Sequence, residues 1–231
     1  MVRQVNAVKV AVLFPELLGT YGDGGNGLVL RERARRRGIG VELVHATLDD
    51  DVPSADLYLL GGGEDGPQRL AADLLQRASF RERVADGARV LAVCAGLQIL
   101  GRSFSIEGDD TYGGLALVDV TTHRGGQRSV GELAVRVGNR VLVGFENHGG
   151  VTSLHSDVAP LGSVVSGKGN DGAYDGFVTE SIWATYAHGP VLALNPWFAD
   201  LILAAVLGEQ LEPLVTVADD LYKERCAALG F

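Results

Sequence analysis

Cysteine is scarce in this chain: 231 residues hold two, Cys94 and Cys226. That excludes a disulfide framework and makes a reducing compartment, the cytoplasm, the expected setting. Lysine is scarce too. Of the 20 basic residues only Lys9, Lys168 and Lys223 are lysines, which we read as a genomic composition bias. Positive charge is in deficit overall, with a net charge of −9. This argues against nucleic-acid binding and against an anionic membrane surface. No apolar run is long enough to span a bilayer, and Met1 to Lys9 lacks a cationic, apolar signal pattern. The five histidines show no metal-ligand spacing such as H-E-x-x-H, so no metal site is expected. Neither G-x-x-x-x-G-K-[ST] nor a correctly framed G-x-G-x-x-G is present.

What is abundant is apolar residues, 46% of the chain. That suffices for the core of one α/β domain spanning residues 1–231. Short apolar runs at Val8–Phe14, Val41–Val44, Leu57–Leu60 and Val90–Val93 alternate with helical stretches near 26–37, 67–76 and 80–86. This pattern predicts a mostly parallel, twisted sheet flanked by helices. After Gly101 the texture changes. Leu115–Val120, Leu133–Val137 and Val141–Phe145 read as antiparallel strands, the last two joined by a Gly138-Asn139 turn. Phe177–Ile182 and Ala184–Ala187 read as further strands, with helices over 197–207 and 221–229.

The stretch Arg89-Val-Leu-Ala-Val-Cys-Ala-Gly-Leu-Gln-Ile-Leu-Gly101 reads as a buried strand turning into a helix with cysteine on the turn. A helix N-terminus favours an anion and lowers a thiol pKa from about 8.5. The Ala95 N–H then points where an oxyanion would form. The residue types also fit a buried cysteine that only packs. Gly96 lets the helix sit close to the strand. In parallel sheets ligands bind beyond the carboxyl ends of the strands. Gly61-Gly62-Gly63 falls on that edge, as half of an oxyanion site or as a tight turn. The stretch Leu17–Leu30 after the first strand begins as a glycine-rich loop, with Gly22, Gly24, Gly25 and Gly27 around Asp23 and Asn26, and reads as a loop needing positive φ before a helix. Arg124 and Arg128 lie in a polar loop where an arginine could clamp a carboxylate. His188 follows an apolar strand and precedes Gly-Pro. If its strand shares the sheet, His188 can meet Cys94, and a Cys–His pair is the minimum for acyl transfer.

These segments resemble the class I, or triad, glutamine amidotransferases of the cobyric-acid-synthase-like branch. VCAGLQILG is similar to the family's nucleophile motif C-x-G-x-Q, and YAHGPVLALNP to its histidine motif. FPELLGTYGDGGNGLVL, LLGGGEDGPQ and GFENHGG resemble the GatD-type glutaminase subunit of MurT–GatD lipid II isoglutaminyl synthases. The resemblance implies a flavodoxin-like α/β fold with an antiparallel extension. It implies that Cys94 attacks the glutamine side-chain amide and that His188 moves protons. It implies an oxyanion held by Ala95 and by Gly62 or Gly63, and contacts to glutamine from Gln98 and Arg128, Arg128 taking the carboxylate.

One position departs from the family. Many of its members carry a glutamate two residues after the histidine, and here that residue is Pro190. Glu146 is an in-chain candidate for the third triad member. The resemblance favours instead an aspartate from the partner, which makes activity partner-dependent. It implies a heterodimer with a MurT-like, Mur-ligase-family subunit that binds ATP and magnesium, with no cofactor in this chain. No stretch reads as a fused synthetase domain, as expected of a separate subunit. A cobyrinate-type amidation module and a catalytically idle scaffold subunit are the alternatives.

Overall fold

In the computed structural model, residues 7–106 and 110–231 are described; the first six residues of the stretch read for a targeting signal lie outside them. The chain begins with β1 (Val8–Leu13), a short α1 (Pro15–Leu18) and α2 (Gly25–Arg35), then β2 (Val41–Ala46) and β3 (Leu57–Leu60). Two helices follow, α3 (Asp65–Arg77) and α4 (Phe80–Ala85), then β4 (Arg89–Val93) and α5 (Ala95–Leu100). A run of strands comes next: β5 (Ser103–Ser105), β6 (Thr111–Gly113), β7 (Val120–Val137), β8 (Arg140–Leu154), β9 (Gly162–Ser166) and β10 (Tyr174–Asp175). The chain ends with β11 (Phe177–Val178), β12 (Ile182–Thr185), α6 (Val191–Leu194), α7 (Pro196–Leu207) and α8 (Val217–Ala228).

The first sheet has the order β11-β12-β4-β3-β1-β2, parallel except for the β11–β12 pair. Every residue of β3 and β12 is buried, as central parallel strands covered by helices require. The order reverses at β1: β2 lies on one side of it, β3 and β4 on the other. Loops leaving strands on either side of such a switch diverge and open a crevice above the carboxyl ends.

The second sheet, β10-β9-β7-β5-β6 with β8 on β7, is the antiparallel extension; only β5 runs parallel to its neighbour β7. Gly138-Asn139 makes the β7–β8 turn, with Gly138 at φ 59°. The strand expected over Leu115–Val120 is not there. The amides of Leu115, Ala116, Leu117 and Val118 instead donate to the carbonyls of Ile99, Gly101, Leu100 and Leu100. A six-residue helix leaves its last carbonyls unpaired, and this segment satisfies them. The stretch His123–Ser129, read as a loop, lies within β7, where the register with β8 shifts between Arg124 and Ser129. The strand read as ending at Phe145 continues as β8 to Leu154, with Phe145–Gly150 in its middle.

Helix α5 packs directly on β3. A Cβ on residue 96 would lie 2.7 Å from Leu60 Cβ and 2.8 Å from Leu60 O. Backbone cannot yield cheaply, so Gly96→Ala should lower the Tm by roughly 3–10 °C, the cost of overpacking a tight contact. Calorimetry on the variant checks this; a Tm within about 1 °C of wild type would contradict the close packing.

Candidate active site

Four loops at the carboxyl edge of the first sheet build the site. β1 leads to Asp23, β3 to Gly61–Gly63, β4 to Cys94, and β12 to His188. β4 and β12 are neighbours, and the Cys94 N–H donates to Thr185 O at 3.0 Å, so the cysteine and histidine follow adjacent strand ends. Cys94 sits at φ 53°, ψ −107°, a backbone conformation rare for a residue with a side chain. The elbow is held by Gly96 N–H donating to Gly61 O at 3.1 Å. It keeps the sulfur at the head of α5, where the Ala95 N–H reaches it.

His188 is fully buried. Its backbone pairs with Phe145, and its ring stacks on Phe145 at 5.3 Å and on Tyr21 at 4.4 Å. Nδ1 donates to Asp23 Oδ2 at 2.9 Å. Nε2 is buried with no hydrogen-bond partner among the described residues. With Nδ1 turned to the Asp23 carboxylate, Nε2 is the ring nitrogen left open to a reacting group.

The carboxylate on His188 is therefore Asp23, not Glu146. Glu146 is committed elsewhere. It accepts from Lys168 N–H at 2.7 Å, Gly169 N–H at 2.8 Å and His148 Nε2 at 3.1 Å. Burial alone raises its pKa, but these donors outweigh burial and hold the carboxyl below its usual range. Sequence reasoning missed Asp23 because it sits in a glycine-rich loop that reads as turn chemistry. The available signal was its position, an acidic residue beyond the first parallel strand and beside the switch point.

Asp23 also corrects the expected oxyanion site. Its Oδ2 accepts the Gly62 N–H at 2.9 Å, so that amide is not free for substrate. The Gly63 N–H and the Ala95 N–H remain. Position 62 must be glycine for a different reason: a Cβ there would lie 2.6 Å from His188 Cε1.

The thiol also departs from expectation. Burial first, with the Asp23 charge adding to it, pushes Cys94 up to about 12, although the Ala95 N–H and Arg128 pull the other way. The dipole of so short a helix contributes about 0.3–1 kcal/mol, too little to offset desolvation. Burial therefore favours the protonated sulfur over the thiolate that the sequence pattern suggests.

A cavity of about 350 Å³ opens beside Cys94, walled by Glu64, Gln98, Arg128, Asn147 and His148 among others. Gln98 is held at both ends of its amide, accepting from Gln68 Nε2 at 2.9 Å and donating to Tyr186 Oη at 3.1 Å. Arg128 donates from Nε to Asn147 Oδ1 at 2.6 Å and from Nη2 to Tyr21 Oη at 2.9 Å. Both His148 nitrogens face acceptors, Gly150 O and Glu146 Oε2.

Residues 9–196 match the CobB/CobQ-like glutamine amidotransferase domain. The chain belongs to that family. Among curated relatives of this amidotransferase, the subunit GatD of the glutamine-hydrolysing lipid II isoglutaminyl synthase of Staphylococcus aureus (strain N315) is 33% identical over 193 residues, covering 80% of this chain and 79% of the relative. The GatD subunit of Streptococcus pneumoniae (strain ATCC BAA-255 / R6) is 32% identical over 209 residues, 87% of this chain and 80% of the relative. A cobyric acid synthase from Pelotomaculum thermopropionicum is 29% identical across 65% of this chain but only 32% of its own length. Among solved structures, PurLQS from Thermotoga maritima superposes with TM-score 0.57 at 15% identity, covering 88% of this chain and 96% of that one. A crystal structure of a glutamine amidotransferase superposes with TM-score 0.56 at 19% identity, covering 86% of this chain and 98% of that one. At such identities the likeness is one of fold.

The upward push of burial on the Cys94 thiol makes a prediction for this amidotransferase. Alkylation of Cys94 by iodoacetamide, followed by mass spectrometry, should accelerate about tenfold per pH unit from pH 7 to 9.5 without levelling near 8.5. A plateau below pH 8 would mean the thiolate exists at rest.

Proposed function

We propose that this chain is the glutaminase subunit of a lipid II isoglutaminyl synthase, and that residues 1–231 act as one glutaminase domain. It hydrolyses L-glutamine and passes ammonia to a MurT-like ligase subunit, which amidates the D-glutamate of the peptidoglycan stem peptide. ATP and magnesium bind on that partner, and the heterodimer works in the cytoplasm. The similarity to two GatD subunits over most of their length supports the assignment. Among the described residues no helix is long and apolar enough to cross a membrane.

The observation that carries the chemistry is the hydrogen bond from His188 Nδ1 to Asp23, with Nε2 left bare. His188 Nε2 takes the Cys94 proton as sulfur attacks the side-chain carbonyl of glutamine. The Ala95 and Gly63 N–H groups receive the oxyanion. His188 returns the proton to the leaving nitrogen, the C–N bond breaks, and ammonia departs from a γ-glutamyl thioester. Water, deprotonated by the same Nε2, then attacks the thioester, and glutamate leaves as the thiol re-forms. Asp23 fixes the tautomer and balances the imidazolium charge.

On this reading the third triad member is internal, and the chain has glutaminase activity without its partner. Glutamate release should fall roughly 10²–10⁴-fold in Asp23→Asn, whose amide cannot play the carboxylate's part. In Glu146→Gln it should fall less than about tenfold, with a lower Tm from the disturbed Lys168 and Gly169 contacts. Activity that is absent in the chain alone, appears with a co-expressed Mur-ligase-like subunit and ignores Asp23→Asn would place the third member on the partner.

A further inference from the structure

The mouth of the cavity carries an arrangement that the transfer chemistry does not use. Arg128 and Glu64 face each other across it, Nη2 to Oε1 at 3.9 Å, both about half exposed. That separation is at the outer limit of an ion pair. Between them lies the hydroxyl of Tyr21, accepting from Arg128 Nη2 at 2.9 Å and donating to Glu64 Oε1 at 3.2 Å. Arg128 is anchored from behind by Asn147. Tyr21 is anchored by its ring on His188. The two opposite charges are thus held apart on fixed supports, and both lie close enough to act on the Cys94 thiol.

We infer that Glu64, bridged to Arg128 by Tyr21, is the specificity residue for a free α-ammonium, so that the cavity selects the zwitterionic head of an unblocked α-amino acid. An α-amino acid bears its ammonium and carboxylate on one carbon. A guanidinium and a carboxylate presented side by side meet both charges at once, each by a charge-assisted hydrogen bond. A ligand with only the carboxylate leaves Glu64 unpaired against it, and a site built to bond a polar group rejects the analogue that lacks it. The acylated nitrogen of a peptide is neutral and bulkier, so peptide-bound glutamine is rejected as well. The inference rests on the glutaminase reading for its choice of amino acid, but the charge pairing can be tested without turnover.

The test compares L-glutamine with glutaramate, which has the same carboxylate and side-chain amide but no ammonium. Binding is measured by calorimetry on Cys94→Ser and on Cys94→Ser/Glu64→Gln; hydrolysis is measured with Cys94 intact, with and without Glu64→Gln. Glu64→Gln should weaken L-glutamine binding at least about tenfold and leave glutaramate within about threefold, so that the preference collapses. In hydrolysis the loss should fall on KM, with kcat within about threefold. Tyr21→Phe, which keeps the ring on His188 and removes the bridge, should lose part of the same preference. An unchanged preference in Glu64→Gln overturns the inference. So does its transfer to Asp65→Asn, since Asp65 lies across the same rim, 3.8 Å from Arg124. Failure of Cys94→Ser to bind L-glutamine also overturns it. If the preference depends on Glu64 but no variant with Cys94 intact hydrolyses glutamine, the head-group site stands and the glutaminase reading falls.

Discussion

One oxygen holds this site together. Asp23 Oδ2 accepts the Nδ1 proton of His188 and the amide proton of Gly62, each at 2.9 Å. The aspartate comes from the loop after β1, the glycine from β3 and the histidine from β12. A single carboxylate therefore ties three separate strand ends. It does so where the strand order reverses and the loops would otherwise diverge. The contact is buried, so water does not compete for it, and hydrogen bonds to a charged acceptor are among the stronger ones. The rest follows from it. Residue 62 has no side chain because the imidazole occupies that space. Tyr21, two residues before Asp23, is carried onto the face of the same ring.

The second sheet supplies the substrate side. Its long β7–β8 hairpin reaches back over the carboxyl edge of the first sheet, and the register shift between Arg124 and Ser129 frees Arg128 from ladder pairing. Along β8 the side chains alternate in role. Asn147 grips Arg128 from one face, while Glu146 and His148 sit buried on the other. The glutamate fastens the loop at Lys168 and Gly169, and the His148 ring stacks on Tyr186, whose hydroxyl accepts from Gln98. Gln98 is best understood as a fixed cavity wall, since both ends of its amide are already bonded within the protein.

The parallel sheet, the hairpin turn at Gly138 and the placement of Cys94 and His188 were legible in the sequence because each rests on local pattern. Apolar runs mark buried strands, and a strand running into Cys-Ala-Gly or His-Gly-Pro marks a strand end. Three features were not legible, for one physical reason. Asp23 on His188 spans 165 residues and Glu146 on Lys168 spans 22. Leu115–Val118 reads as a strand by composition but spends its amides on the end of α5. Each is decided by which unpaired polar group lies nearby in space, and composition carries no information about that. The upward shift of the Cys94 thiol belongs with them. A helix N-terminus predicts a lowered pKa, but only the fold reveals that burial outweighs it.

The charges around Cys94 also explain why a zwitterion suits this cavity better than an anion. Asp23 cannot be removed from the balance, because His188 needs it, and its negative charge works against the thiolate. Arg128 acts in favour of the thiolate and Glu64 against it. A ligand bearing only a carboxylate cancels Arg128 and leaves two negative charges opposing ionisation of the sulfur. A ligand that also brings an ammonium cancels Glu64 in the same event, so Arg128 and Glu64 leave the balance together. The cysteine then faces only Asp23, whose charge is compensated once His188 Nε2 accepts the proton.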